Sequence, residues 1–266
     1  QPGLTAFTAS RRPYQPFVGA SFIQTNGKTN YDSLTFETKR NVGALTFDAH
    51  WTWANNMSNF LNLENPYQPN FWNRDFTSRH RVVINALWDL PFGRGKRFLA
   101  AAPGAVNHVL GGWKLAWLGY LQKGQYFSPG FSGADPSNTN TSGGLPDRIA
   151  NGNFSTGQRS LERWFDVAAF ARPLQGRFGN SGVNVLQGPG LNAQNISISK
   201  RFPLTERLRL DYMTMISNLI NHPNFDFPAS NISVPAQAGV LVTQLGFFSN
   251  EKAGPRLIEM RLRLEF

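Results

Sequence analysis

The residues best placed to do chemistry stand at the C-terminal end of the chain. From residue 258 onward, Ile258, Met260, Leu262, Leu264 and Phe266 alternate with Glu259, Arg261, Arg263 and Glu265. A period of two puts all the charges on one face of a strand and all the apolar side chains on the other, so the strand must separate two different solvents. Leu208, Leu210 and Tyr212 alternate with Arg207, Arg209 and Asp211 in the same way. If the two segments pair antiparallel, Arg207, Arg209, Asp211, Glu259, Arg261 and Arg263 form one charged patch, with Glu265 beside it. Two ionic roles fit it: contact with an anionic substrate or a neighbouring protein element, and a cross-strand ladder in a wetted wall. In the ladder each pair contributes about 1 kcal/mol or less, and this is the plainer reading.

Catalytic patterns are missing from the sequence. His50, His80, His108 and His222 are scattered without metal-ligand spacing, and His222 reads as a turn residue before Pro223 and Asn224. Gly93-Arg94-Gly95-Lys96 lacks the spacing and the Ser or Thr of a phosphate-binding loop. With no cysteine and no Gly-x-Ser-x-Gly, the usual nucleophiles are absent. Asp147, Glu162 and Asp166 fall in a long loop with nothing to pair them. No catalytic residue, metal site or cofactor is therefore expected, and Arg94, Lys96 and Arg97 read as a solvated hairpin tip.

The elements that carry these residues read as antiparallel β. Glycine numbers 25, phenylalanine 22 and tryptophan 7 in 266 residues, a composition of turns and strand-favouring rings. Alternation predicts eight strands, near 15–25, 30–39, 43–53, 78–90, 112–127, 191–201, 206–218 and 256–266. Leu45, Phe47, Ala49, Trp51 and Trp53 against Thr46, Asp48, His50 and Thr52 show it well. No apolar run reaches the roughly 18 residues of a spanning helix, but barrel strands need only about 9 to 11. The formal charge of +10 is spread over all the strands instead of clustering, which argues against nucleic acid as partner.

The connections after the third, fifth and seventh predicted strands are long, and those after the second and sixth are tight. Long loops on one side and short turns on the other describe an outer-membrane barrel with its C-terminus on the periplasmic side. Two links fit less well: a short one at Asn26-Gly27, readable as a tight hairpin, and a long one over 91–111, where 100–110 could form a short helix or a docked turn. Segment 128–190, rich in Gly, Asn, Ser and Pro, with a low-complexity run over 135–144, reads as mobile surface loop. Trp51, Trp53, Trp88, Trp113, Trp117 and Tyr212 are expected as interfacial aromatics at the lipid boundary. The closing strand with its terminal ring, Ile258 to Phe266, resembles the signal by which the barrel assembly machinery recognises its substrates.

Four stretches carry a resemblance to a known family. They are Asn30-Tyr31-Asp32-Ser33-Leu34; Phe71-Trp72-Asn73-Arg74-Asp75 leading to Arg79-His80-Arg81; Leu90-Pro91-Phe92-Gly93-Arg94-Gly95-Lys96 leading to Gly111-Gly112-Trp113; and Asn218-Leu219-Ile220-Asn221-His222-Pro223-Asn224-Phe225. With the C-terminal strand and in this order, they resemble TonB-dependent receptors of the Oar-like type. The resemblance implies a transmembrane barrel of about 22 strands when complete, of which residues 1–266 are the C-terminal part. It further implies an upstream plug that contacts the TonB energy-coupling complex, and uptake of an unidentified substrate across the outer membrane. In that setting the charged patch would face the plug or the substrate. Two other readings stay open: a surface structural or adhesion protein that binds polymers through its external loops, and a soluble β-sandwich.

Overall fold

The computed structural model describes residues 2–12, 14, 17, 18, 23, 25–61, 64, 71–246 and 253–266. Among these are twelve strands. They are β1 (Thr29–Val42), β2 (Leu45–Ser58), β3 (Asn73–Arg74), β4 (His80–Asp89), β5 (Lys114–Gln122), β6 (Tyr126–Phe127), β7 (Asp147–Arg148), β8 (Phe170–Ala171), β9 (Leu186–Gln187), β10 (Leu191–Pro203), β11 (Arg209–Ser217) and β12 (Leu257–Glu265). The seven long strands pair antiparallel in chain order, β1-β2-β4-β5-β10-β11-β12, and β3 extends the far end of β2. This is the up-and-down all-β architecture that the alternation implies. The wall is open: β1 and β12 are its edges, and β1 is exposed along its whole length.

Seven of the eight predicted strands match a long strand to within a few residues. The eighth, 15–25, lies largely outside the described residues, and those of it that are described carry no strand. Predicted strand 112–127 stops early, at Gln122, and the chain then turns into β6. Gly124 is the reason that turn is possible, because a Cβ there would sit 1.8 Å from the carbonyl oxygen of Gly188. At the opposite end a two-residue turn through Gly43, at φ 57°, joins β1 to β2. The helix α1 (Gly104–Leu110) forms within the region expected to be a short helix or docked turn. No helix among the described residues is long and apolar enough to cross a membrane.

Connections 59–79, 123–190 and 218–256 leave the same end of the wall, and the turns 43–44 and 204–208 leave the other together with one longer link, 90–113. The described residues of the three connections at the first end pack together. Phe127, Phe165, Ala169, Phe170 and Leu186 form a buried cluster, with Trp164, Val167, Val185 and Ile232 packed around it. Ile232 belongs to the last connection, so two loops share one core. The first connection is bound in as well, since Asn73 Oδ1 accepts from the Val183 N–H and Asn184 Nδ2 donates to the Arg74 carbonyl. Segment 128–190 is thus a folded cap and not the mobile loop its composition suggests. Its rings have no period because they sit on two-residue strands, as Phe127 and Phe170 do, or at an isolated bridge, as Phe165 does, where spacing carries no face information.

Carboxylates that the sequence left unpaired find partners here. Asp147 holds Arg177 through two hydrogen bonds, and Asp166 accepts from the Ala168 N–H and lies 3.8 Å from Arg163. Asp135 ties up the low-complexity run, accepting from the Ser137 hydroxyl at 2.7 Å and from the backbone of Asn140 at 2.7 Å and Thr139 at 3.2 Å. Burial pushes the Asp135 carboxyl up, but those donors outweigh it and hold it below the usual aspartate range.

Two outcomes are expected of the cap. Phe165→Ala should cost about 3 to 5 kcal/mol of cap stability, read as faster amide exchange in 123–190 while the long strands keep their protection. Because the folded-state pKa of Asp135 is the lower one, its contribution is complete above the ordinary aspartate value of about 4 and fades as pH falls through the native value. Protection factors over 135–144 should drop in that acidic window only, and Asp135→Asn should remove the pH dependence.

Candidate functional site

The register decides which side chains share a face. Phe47, Ala86, Trp117, Ile196, Ile216 and Ile258 form one continuous row across six strands. Leu210, Tyr212, Thr214 and Ile216 meet Leu264, Leu262, Met260 and Ile258 on the same side. The outer side chains of β12 are largely bare: Met260 is 72% exposed and Leu262 66%. So large a continuous apolar surface in water would be an aggregation hazard; against hydrocarbon it is the favoured state.

Along this face the rings gather toward the two ends. Trp51 stacks on Phe36 at 5.6 Å and on His80 at 5.7 Å near the cap, with Trp53 beside them. At the turn end Trp113 meets Tyr212 and Phe202 edge-on, and Trp88 lies opposite Leu115. Trp117 stands between these two groups, in the row of Phe47 and Ile258. Its indole N–H cannot be left unpaired in hydrocarbon, and it donates to Gln194 Oε1 at 2.9 Å. Gly119 leaves the space for that pair, because a Cβ there would meet Gln194 Oε1 at 2.8 Å.

The opposite face carries the charge. Asp89, Lys114, Ser199, Met213 and Arg261 form one row, Arg201, Asp211 and Arg263 the next, and Arg209 and Glu265 the last before the turns. Arg201 is the hub. Its Nε and Nη2 donate to the two oxygens of Asp211 at 2.6 and 2.7 Å, and Glu265 lies 3.6 Å from it and 3.4 Å from Arg263. Lys114 and Asp89 add a looser pair at 3.6 Å. A groove of about 430 Å³ opens here, lined among others by Lys114, Ser199, Arg201, Asp211, Met213 and Arg261. These pairs are well exposed, so water and salt screen them, and their main effect is to fix side-chain positions.

Of the residues singled out from sequence, Arg209, Asp211, Arg261 and Arg263 stand in these rows, and Glu259 stands further up, opposite Met215. Arg207 departs from its expected strand position and lies in turn 204–208. Arg201 was missed. The signal was present, since Ser197, Ser199 and Arg201 alternate with Ile196, Ile198 and Phe202, but Lys200 puts a charge on the apolar side and hides the pattern. Further toward the cap the charged face gives way to a second groove of about 450 Å³, where Leu87, Leu118, Tyr120 and Met215 mix with Asn85 and Ser197.

The Asn-His-Pro-Asn stretch closes the cap end of the wall. Asn218 and Asn224 are almost fully buried, and Asn218 adopts a positive φ of 49°. Asn218 Nδ2 donates to the carbonyls of His222 and Gly254, while Asn224 bonds Asn192 in both directions and donates to Ala253. His222 Nδ1 lies 3.2 Å from Asn224 Oδ1, inside this knot. No group of three or more potential metal ligands occurs among the described residues.

No curated protein and no solved structure matches the chain. A family model described as outer membrane beta barrel domain matches residues 1–257, nearly the full length. With an apolar face for lipid, a charged face for the lumen and strands that pair antiparallel in chain order, the chain belongs to the outer membrane beta barrel domain family and resides in the outer membrane.

Proposed function

We propose that this wall is the C-terminal part of a TonB-dependent receptor barrel of the Oar-like type, which takes up a substrate through a lumen gated by an upstream plug. The observation that carries the reading is the lumen-side charge network of β10 to β12, placed at the end away from the cap. A plug domain that meets periplasmic machinery needs polar, rigidly placed partners at that end of the barrel. The ordered motifs from Asn30-Tyr31 to Asn224-Phe225 support the same reading. Among the described residues β1 and β12 have no partner on their outer edges, which also supports it, since a spanning wall in lipid needs both edges joined by further strands. Within this proposal the chain catalyses no reaction, and the cap residues meet the substrate first.

A second reading, surface attachment, draws on the packing of three external connections into one cap. Rigid, multi-loop surfaces of this kind also suit binding to a polymer or a neighbouring cell. Deleting the cap would separate the two: attachment unchanged with uptake abolished removes the adhesion reading.

The full-length protein in detergent should bind the periplasmic domain of TonB in a one-to-one complex, measured by surface plasmon resonance. Absence of binding would contradict TonB coupling while leaving the barrel intact. The C-terminal ring provides a second test, because Phe266 is 99% exposed and packs against nothing in the described wall. Phe266→Ala should lower the amount of heat-modifiable barrel in the outer membrane several-fold, as expected when the assembly machinery reads the ring. An unchanged amount would mean that the ring is not read.

A further inference from the structure

The connection between β4 and β5 is unusual for the turn end of a barrel, because it is long, folded and built against the lipid face. Lys200 shares the face of Ile198 and Tyr212, and its ammonium donates to the carbonyls of His108 and Val109 at the end of α1. A cation at a helix C-terminus is electrostatically favoured. The same ammonium lies over the rings of Phe202 at 4.5 Å and Trp113 at 5.5 Å, and the Trp113 indole also donates to Val109. The helix is therefore clamped to the outside of the wall, and Val106, Val109 and Leu110 remain exposed on it.

The basic hairpin before the helix belongs to the same rigid unit. Asn107 Oδ1 accepts from the Arg94 N–H at 2.6 Å, and Gly93 approaches Gly111 so closely that a Cβ would stand 2.9 Å from its Cα. Phe92 and Phe98 pack together at 5.6 Å and are still largely exposed, as is Leu99. Between residues 90 and 113 there is no Asp or Glu, while Arg94, Lys96 and Arg97 are all exposed. Apolar side chains beside a purely basic tip, at the level where a lipid-facing wall ends, match a layer with acyl chains on one side and phosphates on the other.

We propose that 91–111 is a binding surface for anionic phospholipid in the periplasmic leaflet, with Arg94, Lys96 and Arg97 on the phosphates and Phe98, Val109 and Leu110 in the acyl boundary. The solvated-tip reading of the three basic residues is then replaced by a lipid contact. The inference rests on barrel membership and is independent of TonB coupling.

The test reconstitutes the full-length protein into phosphatidylcholine nanodiscs containing a minor fraction of phosphatidylglycerol, releases it into mild detergent, and counts retained lipid by native mass spectrometry. The wild type should retain phosphatidylglycerol in preference to phosphatidylcholine, and the triple change R94Q, K96Q, R97Q should reduce that preference by roughly tenfold or more. Lys96→Glu alone should act in the same direction. Heat-modifiable mobility should be the same for all variants, since the three side chains are exposed. Equal retention of both lipids by the wild type, or undiminished preference in the triple variant, would overturn the proposal. So would displacement of the bound lipid by inorganic phosphate, which would mark a site for a free ion.

Discussion

A spanning wall must satisfy every backbone N–H and C=O inside the sheet, and the rest of this structure depends on that constraint. Hydrocarbon offers no substitute partner, so the ladders from β1 to β12 run without a break through the long strands. Once the ladder is fixed the faces are fixed too, because a slip of one residue would exchange the apolar and the charged side of a strand. The rows from Phe47 to Ile258 and from Asp89 to Arg261 are two consequences of one register. Trp117 and Lys200, two polar groups on the apolar side, are both paired, the first with Gln194 and the second with the end of α1.

Different physics acts at the two ends of the wall. At the cap end, water is present but the loops are too long to be left without a core, and a small aromatic cluster with side-chain knots holds them. Asn218 and Asn224 take up the backbone groups of neighbouring segments where the ladder stops, which is why two nearly buried amides stand at the entry to β10 and the exit from β11. At the turn end the charge network of Arg201, Asp211, Arg263 and Glu265 lies on the lumen side, while aromatic rings and the clamped helix lie on the lipid side. The same few rows thus meet water on one face and the interfacial layer on the other.

The wall was legible in the sequence because a period of two survives in strands that divide lipid from water. Leu45 to Trp53 and Ile258 to Phe266 show it without help from any resemblance. The cap was not legible: Phe127, Phe165 and Phe170 meet only in three dimensions, and the Gly, Asn, Ser and Pro between them form turns that composition cannot distinguish from mobile loop. Arg201 was obscured by the exception at Lys200, and Arg207 was placed on a strand because alternation continues into the turn. His222 of the Asn-His-Pro-Asn stretch read as a turn residue, and the flanking asparagines, which hold that region together, were not singled out.

The absence of cysteine from the chain makes the central claim directly measurable. Single cysteines placed in turn at residues 258 to 265 of the full-length protein in bilayers would each carry a fluorophore, quenched either by a lipid-borne or by a water-soluble agent. The wall described here requires lipid quenching at 258, 260, 262 and 264 and aqueous quenching at 259, 261, 263 and 265. Uniform aqueous access at all eight positions, or a pattern without a period of two, would contradict it.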